Sequence, residues 1–404
     1  MFCHIVFKSE YSYRYFQLIE KYFSLNDHFF IIHGEGLCFQ EQKYHYKNFL
    51  STKDFSESEV INLIENASAI IINGFFSGEL AYFFYRYPQY LSKLNWLTWG
   101  DDIFRLKNTD FNIDIFNISF ESLISLVIQK IRFIKRNIQT SIDLKVLPFR
   151  YGISELYRIF VIKKMSGIIG MEKDFEIIYD IYKTQARYIY GFHPFLINWS
   201  NSNYYIEVLK TKNNQNNLQP REINILLGNS GSETNQHSEY LEIVAKNFAY
   251  QNLKVFCPLS YGNKDYIDKV IKEGKNLLGK SFNPITSLMS PEEYILFLSN
   301  IDVALMNHKV QEGVGTIITL ILLGAKVYMN PEISSYSFLT KQQIKIFDIQ
   351  ELKKIRSAQL LLFENDRIIQ ENQDNVIKAF SEVNWVLNWK QIFRSIAHKE
   401  NHIT

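Results

Sequence analysis

Two glycine-bearing turns in the second half of the chain have the residue types that hold a phosphate. Gly228-Asn229-Ser230-Gly231 follows a short apolar run, Glu222 to Leu227, and leads into a helical pattern. Gln311-Glu312-Gly313-Val314-Gly315-Thr316 leads into another. Backbone N–H groups at a helix start, aligned with the helix dipole, attract anions, and glycine lets a ligand approach the backbone closely. A tight strand-to-helix turn with no ligand uses the same residues. Two such turns in one half favour a diphosphate cradle. Neither matches a Walker A loop or a GxGxxG fingerprint after the first strand.

Acids at strand ends in the first half supply candidates for a general base. Trp99-Gly100-Asp101-Asp102 ends one apolar run, and His33-Gly34-Glu35-Gly36 ends another. A carboxylate there can deprotonate an acceptor hydroxyl as it attacks an electrophilic carbon. Asp102 ranks first, with Glu35 and Asp101 behind it and His33 as a further option; a helix-capping Asp is the plainer reading of the same position. His193-Pro194 reads as a turn after a core strand. The nine histidines lack ligand spacing such as HxxxH, so no metal site and no cofactor are expected.

The elements that position these residues are clearest after residue 222. Strand patterns over 222–227, 254–259, 301–306 and 325–330 alternate with helical patterns. One of these places apolar Leu241, Val244, Ala245 and Phe248 on a single face, and another starts at Ser290-Pro291-Glu292-Glu293, a capping-box sequence. Alternation of this kind means βα units and a parallel sheet. The first half repeats it with runs at 29–32, 69–72 and 94–99. The expected fold is α/β, with two Rossmann-like domains whose parallel sheets face across a cleft. Ligands of such sheets bind beyond the carboxyl ends of the strands. The polar stretch 212–221 marks a linker. Expected boundaries are 1–210 for an acceptor-binding domain, 211–222 for the linker and 223–378 for a nucleotide-sugar domain. A final helix over 379–404 is expected to pack back toward the first domain.

Bulk composition narrows the class. The 404 residues are 47% hydrophobic and 21% charged, which suits more than one buried core. A formal charge of +2 argues against wholesale coating of nucleic acid. Cys3, Cys38 and Cys257 are scattered without a CxxC pair and fit a reducing compartment. No export signal or membrane-spanning run is expected, since the longest apolar stretch, 317–325, is about half the roughly 18 residues a span needs. Between 130 and 164, Lys130, Arg132, Lys135, Arg136, Lys145, Arg150, Arg158, Lys163 and Lys164 stand among apolar residues with only Asp143 and Glu155 against them. Such a face can dock on anionic lipid headgroups, or be a solvated helix face.

Three ordered motifs carry a resemblance: Ile225 to Gly231, Pro258-Leu259-Ser260-Tyr261-Gly262 with Tyr266-Ile267, and Gln311 to Thr316. They resemble the TDP-N-acetylfucosamine:lipid II N-acetylfucosaminyltransferase family, glycosyltransferase family 56, most closely over about 223–340. Trp389-Lys390-Gln391, Asn73-Gly74-Phe75-Phe76 and Met171-Glu172-Lys173-Asp174 are shorter matches, and Asp102 falls on the acid of the family's Trp-Gly-x-Asp. The resemblance implies a GT-B fold and a TDP-sugar held by the second domain. It further implies a polyprenyl-diphosphate-linked acceptor, inverting transfer without metal, and a place in enterobacterial common antigen or O-antigen synthesis. The protein would then sit peripherally on the cytoplasmic face of the bacterial inner membrane, with no nucleic-acid partner. Gly228, Asn229, Ser230, Gly231, Tyr261, Gly313, Gly315 and Thr316 fall on motif positions, and Glu312 replaces the second Gln of a Gln-Gln-Gly. Val310 stands where the family has Arg, and Lys309 is the cation nearest that place. Two rival readings share these features: a nucleotide-sugar 2-epimerase of the same fold, and a non-catalytic sugar-nucleotide-binding subunit.

Overall fold

The computed structural model describes residues 1–33, 49–52, 54–103, 157–194, 222–248, 251–363 and 365–397. Glu35, Cys38, the linker stretch 212–221 and most of the basic stretch, 130–156, lie outside the described residues, as does the side chain of Asp101. The chain forms two compact units: Met1–Pro194 with Val386–Thr404, and Phe195–Trp385.

In the first unit, β1 (Phe2–Phe7), β2 (His28–His33), β3 (Phe49–Thr52), β4 (Ala69–Asn73), β5 (Leu94–Leu97), β6 (Gly167–Gly170) and β7 (Arg187–Tyr190) form one parallel sheet. Its spatial order is 3-2-1-4-5-6-7. The apolar run of β4 is buried along its whole length, as a strand covered on both faces must be. Helices start where short polar side chains can hold a free amide: Ser9 accepts from Ser12 N at 3.1 Å, and Ser77 from Leu80 N at 3.2 Å.

The second unit repeats the plan. β8 (Ile223–Leu227), β9 (Leu253–Pro258), β10 (Phe282–Ile285), β11 (Val303–Met306), β12 (Lys326–Met329) and β13 (Phe347–Asp348) are parallel and ordered 3-2-1-4-5-6 by their place in the unit. This is the Rossmann strand order, whose reversal point lies between β8 and β11. Ser290 and Glu293 close the capping box that their spacing predicts, at 2.8 and 3.2 Å. Strands β10 and β13 are absent from the sequence reading. β10 carries Pro284 and β13 is two residues long, so neither gives an apolar run.

The last helix, Glu382–Ala397, supplies the first unit from residue 386 onward. Trp389 is fully buried, donates from Nε1 to Phe192 O at 3.3 Å and packs edge-on against Tyr15. Phe393 meets the rings of Phe2, Phe23 and His28. Arg187 Nη2 donates to Ser395 O at 2.6 Å. Beneath this wedge runs a buried polar chain, His28 Nδ1 to His4 Nε2 at 2.8 Å and His4 Nδ1 to Tyr15 Oη at 3.0 Å. No helix among the described residues is long and apolar enough to cross a membrane.

Burial holds these histidines neutral. His28, His33 and His308 fall from the ordinary 6.5 to about 4, and His4 goes well below it. The unfolded chain binds these protons near the ordinary value and the folded chain does not. Stability is therefore full above that value and is lost as pH falls through the folded values. Each excluded proton costs up to about 1.4 kcal/mol per pH unit in that window. The thermal midpoint followed by circular dichroism should drop steadily from about pH 6.5 to about pH 4; a flat profile there would contradict the burial of these rings.

Candidate functional site

The carboxyl edge of the second sheet gathers the motif residues around the reversal point. Gly228, at φ +70°, directly follows β8 and donates from its N–H to Leu305 O at 3.0 Å. Asn229 N donates to Asn235 Oδ1 at 2.8 Å, and Gly231 N to Tyr261 O at 2.8 Å. Gly231 and Gly262 form an isolated parallel bridge, and a Cβ on Gly262 would stand 2.3 Å from Gly231 O. These glycines exist so that two loops can touch. The turn also does not open a helix directly: a 3-10 turn, Glu233–Asn235, intervenes before the helix His237–Phe248. The expectation of two ligand-gripping helix starts is corrected here. Three amides of the 228–231 turn are already spent on the protein.

The second turn differs. Gly313 caps the helix Val314–Leu322 at φ +61° with no side-chain cap, so the first-turn amides have neither an i−4 carbonyl nor a capping oxygen. A Cβ placed on Gly315 would meet nothing within 4 Å, whereas one on Gly313 would lie 2.8 Å from Asn229 Nδ2. Gly315 faces open space, and Gly313 lets the Asn229 side chain lie across the helix start. The Thr316 hydroxyl lies 3.4 Å from Tyr294 Oη, and Lys309 is exposed nearby in sequence. Val310 is buried, so the position where the family carries Arg points into the core. Tyr261 is 55% exposed at the end of β9, its hydroxyl 3.4 Å from Asn229 O, and offers a ring face to a ligand.

Glu312 ties the two turns together. Its carboxylate accepts from the Thr234 hydroxyl and, at 3.0 Å, from Asn235 Nδ2. Asn235 is fully buried and also reaches Ser230 Oγ at 3.2 Å. Glu312 therefore acts on the turns through Thr234 and Asn235. Beneath them, the rings of His237 and His308 are fully buried, and His237 Nε2 has no hydrogen-bond partner among the described residues. Burial, reinforced by the neighbouring His308, pulls His237 down to about 3. Sequence reasoning missed Asn235, His237 and His308. His308 stands two residues after β11 at the reversal point, a signal that could have found it.

At the carboxyl edge of the first sheet, Asp102 is fully buried and both carboxylate oxygens are taken. Oδ1 accepts from Trp99 N at 2.7 Å, and Oδ2 accepts from Phe75 N at 2.9 Å and from Trp96 Nε1 at 2.7 Å. Arg158, also fully buried, donates to the carbonyls of Asp102 and Phe75 and lies over the rings of Phe75, Trp96 and Tyr182. Burial pushes the Asp102 carboxyl above its ordinary value, while the three donors and Arg158 oppose that rise. A general base must present a lone pair to its substrate. Asp102 is sealed from solvent with three of its acceptor sites held by Phe75, Trp96 and Trp99, so the base assignment is replaced by a structural one. His33 ends β2 buried between the rings of Phe7 and Phe55.

A different polar group occupies that edge. Asn73, the last residue of β4, accepts at Oδ1 from Trp99 Nε1 at 2.5 Å and lies 3.1 Å from His193 Nε2. His193 is half-buried, with Nδ1 3.3 Å from Pro194 O and its ring edge-on to Trp99. The sequence reading gave His193 to a turn after a core strand, and strand β7 does end at Tyr190, shortly before it.

Residues 180–398, over half of the chain, match the family described as 4-alpha-L-fucosyltransferase, glycosyl transferase group 56. The chain belongs to that family. Its fold is GT-B. A glycosyltransferase from Rickettsia africae ESF-5 is similar at a TM-score of 0.59 and 13% identity, covering 98% of each chain. HepE of Anabaena, solved with UDP and glucose, gives 0.60 and 11%, over 98% of this chain and 99% of that one. WaaG, a glycosyltransferase of lipopolysaccharide biosynthesis, gives 0.53 and 11%, over 97% and 98%. At such identities these structures speak to the fold, while the family makes the chain a fucosyltransferase-type glycosyltransferase.

Two variants separate ligand space from structure in this group 56 enzyme. Gly315→Ala should stabilise the helix by about 0.5–1 kcal/mol yet weaken nucleoside-diphosphate binding, tested with TDP and UDP in calorimetry, by filling the space above the first-turn amides. Unchanged affinity would take the helix start out of the donor site. Asp102→Asn turns an acceptor atom into an NH2 facing N–H donors, and should cost about 3 kcal/mol or more of stability in urea unfolding. A mutant of wild-type stability that has lost only turnover would restore Asp102 as the base.

Proposed function

We propose that this enzyme moves an N-acetylated amino-deoxy sugar, 4-acetamido-4,6-dideoxygalactose, from a TDP donor to a polyprenyl-diphosphate-linked saccharide. The transfer inverts the anomeric centre, needs no metal, and serves bacterial surface polysaccharide synthesis. The observation that carries the reading is the uncapped helix start at Gly313-Val314-Gly315-Thr316, open above Gly315 and inside the family-matched region. Diphosphate leaving the sugar gains negative charge, and fixed amides aimed at it stabilise that charge at the moment of bond breaking. HepE, similar in fold, is seen with UDP and glucose, which supports a nucleotide sugar as donor. Tyr261 offers an aromatic face to the base or sugar.

The lipid-linked acceptor requires the enzyme at a membrane surface, which we place at the cytoplasmic face of the inner membrane. In the described part of the basic stretch, Lys164 is exposed and lies 4.5 Å from the ring centroid of Phe160. The neighbouring helix Gly78–Arg86 exposes Tyr82 and Tyr85. Cations beside interfacial aromatic rings suit anionic headgroups.

A panel of TDP- and UDP-sugars, each offered with a synthetic prenyl-diphosphate glycan in the presence of EDTA, tests the reading. Sugar should move from TDP-4-acetamido-4,6-dideoxygalactose to the lipid, with other donors slower by about tenfold or more. Donor conversion without acceptor would make the protein an epimerase. Absence of TDP and UDP binding would make it a non-catalytic subunit.

A further inference from the structure

We propose that the side-chain NH2 of Asn73 binds the acceptor saccharide, donating to one of its sugar oxygens. This rests on the transfer reading above and names a group in the first unit that recognises the acceptor.

Asn73 stands apart from the other buried asparagines. Among the described residues, Asn95, Asn235, Asn247, Asn307 and Asn372 are also buried, and each spends its NH2 on a protein oxygen. Asn73 is fully buried too, yet its Nδ2 has no acceptor among the described residues. The other end of the amide is held. Trp99 Nε1 can only donate, and it meets Asn73 Oδ1 at 2.5 Å; His193 Nε2 lies 3.1 Å from the same oxygen. Turning the amide over would set NH2 against N–H, so the nitrogen is fixed on the side where no protein oxygen meets it. A buried donor left unspent costs the free protein stability. It calls for an acceptor from outside the chain.

Position says which ligand. The strand order 3-2-1-4-5-6-7 reverses between β1 and β4, and Asn73 is the last residue of β4. Ligands of such sheets bind at that crevice, beyond the carboxyl ends of the strands. Rings line this edge. Phe7, which ends β1, lies 5.6 Å from Phe76 between centroids, Phe76 lies 5.9 Å from Trp99, and Trp99 lies 5.0 Å from His193. Gly74, at φ +81°, permits this closeness, since a Cβ there would stand 2.8 Å from the Phe76 ring and 3.3 Å from Trp99 Nε1. Apolar rings around one directed polar group are the lining of a small-molecule site. A sugar offers C–H faces to rings and oxygens to donors, and the uncharged NH2 matches a saccharide oxygen. Nδ2 is sealed from solvent in the free protein, so the sugar enters by displacing a bordering ring. Phe7, Trp99 and His193 are half-buried, and side-chain shifts of that kind are common on binding.

The test uses the full-length enzyme with the donor and prenyl-diphosphate glycan on which the wild type turns over. Asn73→Asp keeps an oxygen toward Trp99 and His193 and replaces the NH2 with a second acceptor. KM for the glycan should rise by about tenfold or more, while kcat at saturating glycan and TDP affinity in calorimetry stay within about threefold. A purely structural Asn73 would lower stability and leave the glycan KM in place. Asn73→Ser removes the donor without adding charge, and carries the same comparison if Asn73→Asp unfolds. Prenyl diphosphate lacking a sugar should inhibit the wild type and Asn73→Ser equally. Loss of that inhibition in the variant would give the NH2 to the lipid diphosphate and overturn the saccharide assignment. A glycan KM within about threefold of wild type in the folded variants overturns it as well, and leaves the transfer reading standing. A wild type that binds TDP yet moves no sugar to any glycan removes the transfer reading, and this proposal with it.

Discussion

The second unit depends on one buried carboxamide. Asn235 is sealed from solvent, and its oxygen and nitrogen serve the backbone of Asn229, the hydroxyl of Ser230 and the carboxylate of Glu312. An amide buried without such partners costs several kcal/mol, so full satisfaction of this one holds the surrounding loops in a single arrangement. Asn229 in turn lies across Gly313 and fixes the approach to the helix start. The first glycine turn is the frame, and the second presents the open amides.

The same division of labour recurs in the first unit. The Asp102 carboxylate and the Arg158 guanidinium lock the turns after β4 and β5 to each other. With Phe75 and Trp99 held in this way, Asn73 and His193 meet at the sheet edge. A buried charged network and a half-buried polar group stand side by side, the former rigid so that the latter can be placed.

Much of the fold was legible because fully buried parallel strands read as unbroken apolar runs. The runs at 69–72 and 301–306 became β4 and β11, and the Ser290 capping box formed as its spacing requires. Strands without that signature escaped: β6 is four residues with a glycine at each end, and β10 is interrupted by Pro284. At the sites, sequence located the right turns but not the direction of their atoms. Asp102 and Glu312 are acids at strand and helix ends, where both a base and a strut can stand; only the donors around each carboxylate decide between them. His193 was passed over because its partners, Asn73 and Trp99, are remote along the chain and meet it only through the order of the strands.

The final helix has a consequence for biosynthesis. Trp389 and Phe393 fill the gap against Tyr15, His28 and Phe2, so the unit built on Met1–Pro194 is completed by residues translated after the whole of Phe195–Trp385. Phe195–Trp385, by contrast, is an uninterrupted stretch. On the ribosome, the customary order in which the leading domain matures first is therefore reversed. The amino-terminal sheet must wait, with an aromatic socket exposed, until the carboxyl-terminal plug emerges from the exit tunnel.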